Sequence, residues 1–133
     1  MRRAPLLASI ALLGLLLGAA ASAQQDALVN STPEQRAKLQ TEFMVKKLGL
    51  QADQIPKVEA INLKSAQKME PVLKGTEAPF VKLRTAKSIN REKAAELEKV
   101  LSKDQYQQYL ASREEMRQHL EQHIAEKRQG GGN

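Results

Sequence analysis

Apolar residues return at intervals of three and four along most of the chain, and the places where that rhythm breaks divide it into helices. Leu39 and Phe43 are four apart, and Met44 and Leu48 repeat the spacing beside them. Pro33 at the first helical position, Lys46 and Lys47 in the last turn and Gly49 beyond it predict a helix over 33–48. Val58, Ile61, Ser65, Met69 and Val72 form the next stripe. A start at Gln51 would put Pro56 in the fifth position, against an earlier carbonyl; a start at Asp53 keeps Pro56 in the tolerated first turn. Asp53 is therefore the expected cap, and Pro71 is expected to bend or end this helix near Glu70. Gly75-Thr76-Glu77-Ala78-Pro79 is the clearest break. A third helix follows over 79–101, with Leu83, Ala86 and Ile89 and then Ala94, Leu97 and Leu101 on its stripe. The fourth is capped by Ser102 and carries Tyr106, Leu110, Arg113, Met116 or Arg117, Leu120 and Ile124. Arg113 on that stripe is expected to snorkel out of it. Lys127 and Arg128 suit a helix end, and 129–133 reads as a glycine-rich flexible tail.

The N-terminus follows a different pattern. Arg2 and Arg3 precede a nearly continuous apolar run from Leu6 to Leu17, and Ala21-Ser22-Ala23 has small residues where a peptidase would cut. Residues 1–23 read as a signal peptide cleaved after Ala23, followed by a patternless arm over 24–30. The run is near the lower limit for spanning a bilayer and no basic stop-transfer cluster follows, so stable membrane insertion after cleavage is not expected. Export to the periplasm is the location this implies. The chain has no Cys, so an exported domain must be held by packing alone. The formal charge is +6, of which Arg2 and Arg3 account for two, leaving +4 on the mature chain. That excess is spread among many acids and comes with only two Phe and two Tyr, a poor match to a nucleic-acid binder. So few large apolar side chains make a compact globule marginal. The expected fold is all-α: four helices as two hairpins over 31–128, in an elongated curved layer completed by antiparallel homodimerisation.

Three segments at helix starts share one shape: Ser31-Thr32-Pro33-Glu34-Gln35, Leu50-Gln51-Ala52-Asp53-Gln54 and Leu101-Ser102-Lys103-Asp104-Gln105. In the first and last, a hydroxyl three residues before a glutamine makes a capping box, Thr32 with Gln35 and Ser102 with Gln105. These copies resemble the L-T-x-x-Q signature of the LTxxQ family of periplasmic proteins, which is Spy/CpxP-like. The last copy has Ser for Thr, the first has Ser31 for the leucine, and the middle one has Gln51 for the Thr. The similarity of layout covers 31–127. It implies an ATP-independent chaperone or envelope-stress protein that binds unfolding or partner proteins on a helical cradle built from two antiparallel protomers.

Such a cradle combines apolar grip with positive charge. Lys57, Ile61, Lys64 and Lys68 fall on one face of the second helix, and Met44 and Met69 can add adaptable apolar contact. These six form the candidate client-binding surface; lysines on a solvated face and methionines filling a core are the plainer account. Glu115, His119 and His123 are spaced four apart on the fourth helix. Two imidazoles so placed can chelate Zn, Cu or Ni, with the glutamate adding an oxygen, although the pair alone leaves a coordination sphere incomplete. No cofactor is otherwise expected. There is no thiol, no H-E-x-x-H and no phosphate-cradling glycine loop, so the chain is not read as an enzyme. A periplasmic metal sensor or buffer, and a structural adaptor for one fixed partner, remain as alternatives.

Overall fold

The computed structural model describes residues 27–130. The expected signal peptide over 1–23 with its cut after Ala23, residues 24–26 of the arm and residues 131–133 of the tail lie outside the described residues. All regular structure among the described residues is helical: α1 is Pro33–Leu48, α2 is Ile55–Lys74, α3 is Pro79–Val100 and α4 is Lys103–Gly130. Residues 27–30 are helical too, where an irregular arm is expected, and Gln129 and Gly130 belong to α4 rather than to the tail. No helix among the described residues is long and apolar enough to cross a membrane.

The described residues fall into two compact units, 31–120 in one and 27–30 with 121–130 in the other. In the second, Ala27, Glu121 and Ile124 are buried. The first holds the main apolar cluster, in which Met44, Val58, Leu97, Tyr109 and Met116 come from all four helices.

The helix ends follow local chemistry where a good cap exists. Thr32 Oγ1 accepts the Gln35 N–H at 3.1 Å and Gln35 Oε1 accepts the Thr32 N–H at 3.0 Å. The Ser102 box closes in the same way, at 3.2 and 2.9 Å. Gly49 ends α1 with φ of 62°, a left-handed conformation that a Cβ would oppose.

The second start departs from the sequence reading. Asp53 makes no cap bond; α2 begins at Ile55 with Gln54 before it, and Pro56 falls within its first two positions. Gln54 Oε1 instead accepts the Gln51 N–H at 2.9 Å. The reaching-back half of the box therefore survives although Gln51 has no hydroxyl to supply the other half. Pro71 does not end α2 either, which runs to Lys74. Only one turn follows the proline, and the Gln67 carbonyl it leaves without an N–H lies on an exposed residue where water can serve it. At Gly75 a Cβ would lie 2.5 Å from the Pro71 carbonyl oxygen, so the exit from α2 requires glycine.

Helix α2 packs against both α1 and α3. Between α1 and α2 lies a buried polar contact: the Asn62 amide donates to Thr41 Oγ1 at 2.9 Å, and Thr41 donates to the Ala37 carbonyl at 2.8 Å. Asn62 Oδ1 has no hydrogen-bond partner among the described residues. A slip of one helical turn would leave the whole amide against apolar side chains, so this contact favours one register.

Candidate functional site

The second and third glutamines of the repeated motif meet. Gln54 Nε2 donates to Gln105 Oε1 at 2.7 Å, and Gln105 Nε2 donates back to Gln54 Oε1 at 3.0 Å. Each amide also reaches backbone on the opposite motif: Gln54 to the Val100 carbonyl at 3.1 Å, Gln105 toward the Leu48 carbonyl at 3.4 Å. Gln105 Nε2 also lies 3.5 Å from the Gly49 carbonyl; Val100 and Gly49 are the residues just before the two motif leucines, so the two copies face each other with a near-symmetric pattern. The glutamines thus do more than cap. They tie the α1–α2 connection to the α3–α4 connection. Capping chemistry accounts for the spacing within each copy, but nothing in either copy names its partner.

The proposed lysine stripe is largely neutralised. Lys64 lies 2.5 Å from Glu96 and Lys68 lies 2.7 Å from Glu92, both across α2 and α3. A hydrogen bond to Glu96 raises the Lys64 pKa, and a hydrogen bond from Lys68 lowers that of Glu92. Lys57 is exposed, while Ile61 and Met69 are half-buried and Ile61 packs on the core. Met44 is 1 % exposed. It fills the core and does not belong to a surface with the lysines.

The same ladder uncovers a different surface. Stepping by four from Lys64–Glu96 to Lys68–Glu92, the antiparallel register brings Lys74, the last residue of α2, level with Ala86 of α3. Residues 79–85 extend beyond that point, with no α2 to cover them. Phe80, Val81 and Leu83 are accordingly 69 %, 44 % and 52 % exposed. Leu83 is therefore not on a buried stripe, contrary to its spacing from Ala86 and Ile89. Lys82 and Arg84 share these turns and Lys87 lies just past them, and none of the three makes an ion pair among the described residues. The available sequence signal was the adjacency of Phe80, Val81 and Leu83 to three cations immediately after the Gly75–Pro79 break. Periodicity alone assigned one of them to the core.

Glu115 pairs with Lys47 at 3.0 Å, and His119 packs on Phe43 with ring centroids 5.4 Å apart. His123 is half-buried on the stretch of α4 beyond Leu120. No group of three or more potential metal-binding side chains is assembled among the described residues.

Lys93 is the other notable cation. It is 5 % exposed, and its Nζ donates to Gln40 Oε1 at 2.8 Å. Burial pushes its ammonium down to about 8. The folded protein thus releases this proton before the unfolded chain does, whose lysines titrate near ~10.4, and stability rises with pH between the two values. Going from about pH 7 to about pH 9.5 is expected to add about 2 kcal/mol from this group. Urea midpoints at the two pH values check this; Lys93→Met should remove the rise. The Tyr109 hydroxyl, pushed up to about 12 by burial, opposes stability only above its unfolded value of ~10, outside that window.

A family model described as a domain of unknown function (DUF4890) matches residues 20–109. Neither the curated proteins nor the solved structures gave a match.

Proposed function

The chain belongs to the DUF4890 family, a domain of unknown function, and we propose that it is a small exported, ATP-independent chaperone or envelope-stress protein. Its grip on unfolding proteins is the apolar and basic end of α3. The observation that carries this reading is the exposure of Phe80, Val81 and Leu83 beside Lys82, Arg84 and Lys87. Unfolding proteins expose apolar side chains, and covering an aromatic or branched side chain of this kind contributes roughly 1.5–3 kcal/mol. Unpaired cations add long-range attraction for acidic segments, weakened by salt. The N-terminal pattern supports export, and the resemblance to the LTxxQ family supports a stress-related role. In this reading α1 with α2 and α3 with α4 are the two hairpins of each protomer, and two protomers pair antiparallel.

The test is light scattering from reduced α-lactalbumin, with no ATP present. The protein is expected to suppress its aggregation. Phe80→Ser combined with Leu83→Ser should abolish most of that suppression while leaving helicity and Tm unchanged, since neither side chain is buried. Lys57→Glu should have little effect. Suppression that survives the double substitution would remove the end of α3 from the reading. An adaptor for one fixed partner would leave the scattering unchanged from the start.

A further inference from the structure

A cavity of about 490 Å³ lies between α1, α3 and α4, within residues 31–120. Gln40, Lys93, Tyr109, Arg113, Met116 and Leu120 are among the residues that line it. Tyr109, Met116 and Leu120 are buried and make apolar walls. Lys93 is buried as well, and one of its three donors is used, by Gln40. No carboxylate lies within ion-pair distance of Lys93 among the described residues. A buried ammonium is normally paired, and leaving one without a counter-charge is unfavourable. Arg113 lines the cavity at an exposed position and makes no ion pair among the described residues; the neighbouring Arg117 holds Glu114 at 2.5 Å.

We propose that this cavity binds a small amphiphilic carboxylate, its carboxylate on the Lys93 ammonium and its apolar body against Tyr109, Met116 and Leu120. The volume falls in the range of small-molecule sites. Of the charged groups lining the cavity, Arg117 and Glu114 offset each other, which leaves Lys93 and Arg113 to attract an anion. An inorganic phosphate would leave the apolar walls of Tyr109, Met116 and Leu120 without a partner. The bound anion also provides the counter-charge that the fold itself does not place beside Lys93. This role is separate from the end of α3, which shares no residue with the cavity.

Octanoate is the probe, with octanol as its uncharged counterpart, both titrated by calorimetry below micellar concentrations. The protein should bind octanoate saturably at one site, at least tenfold more tightly than octanol. Lys93→Met, which keeps the volume and removes the charge, should weaken octanoate to the level of octanol. Arg113→Gln, a change at an exposed position, should weaken octanoate about threefold. Any one of three results overturns the proposal: no saturable octanoate binding, equal affinity for octanoate and octanol, or octanoate affinity unchanged by both substitutions.

Discussion

Glu70→Ala is expected to destabilise the protein by about 3 kcal/mol, because it removes the carboxylate paired with a buried guanidinium. Arg36 on α1 is 3 % exposed. It donates to the Ser31 carbonyl at 2.7 Å, to Ser31 Oγ at 3.1 Å and to the Ala66 carbonyl at 3.4 Å, and it pairs with the Glu70 carboxylate. Glu70 is held from the other side by Lys74 at 2.6 Å. Glu70→Ala removes the carboxylate that pairs with Arg36 and leaves the backbone acceptors in place. Replacing Arg36 by Met together with Glu70 by Leu should recover most of the loss, since an apolar pair avoids the desolvation of both ions. Urea denaturation of the single and double variants measures this; a loss under ~1 kcal/mol for Glu70→Ala would mean that water reaches Arg36. The pH dependence has a definite sign. Hydrogen bonds from Lys74 and then Arg36 hold the Glu70 pKa below its ordinary value. Its contribution is therefore present above the unfolded carboxylate value, near ~4.3, and is lost as pH falls through the lower folded value. Glu70→Gln should flatten that part of the acid unfolding curve.

Gln105→Ala should destabilise the protein by roughly 2–3 kcal/mol, and Gln35→Ala by only about 0.5–1 kcal/mol. The two glutamines hold the same place in the same capping box, so the comparison separates capping from tertiary contact. Gln35 accepts one N–H, from Thr32. Gln105 accepts from Ser102 in the same way, and also exchanges two hydrogen bonds with Gln54. Removing it leaves the half-buried Gln54 amide with a donor and an acceptor short of partners, and such groups are unfavourable when water cannot reach them freely. A double-mutant cycle over Gln54→Ala and Gln105→Ala should give a coupling of about 1–2 kcal/mol. Equal losses at Gln35 and Gln105 would reduce the motif to a cap.

Much of the helical layout was legible because helix starts and stops depend on residues within one turn of each other. The Thr32 and Ser102 boxes, Pro33, Gly49 and Pro79 stand where local sterics and hydrogen bonding put them. The error at Asp53 and the continuation of α2 past Pro71 have a shared cause. Each expectation weighed one unfavourable local feature, and neither could count what neighbouring structure supplies. Gln54 forms bonds to Gln51 and Gln105 in place of a cap at Asp53, and α1 and α3 pack along α2.

From the sequence alone come the all-helical character, most of the helix boundaries and the capping role of two of the motif glutamines, all consequences of short-range geometry. The tertiary structure decided which charges are neutral, which are buried and which apolar side chains are left uncovered. Lys64 and Lys68 looked like a binding stripe until Glu96 and Glu92 faced them. Nothing in the sequence sets Lys93 apart from the other lysines, and helix packing encloses it. Leu83 looked like core until the register showed that α2 stops short of it. Each of these depends on what another helix places opposite. That is fixed by antiparallel register between residues tens of positions apart, which no periodicity within a single helix encodes.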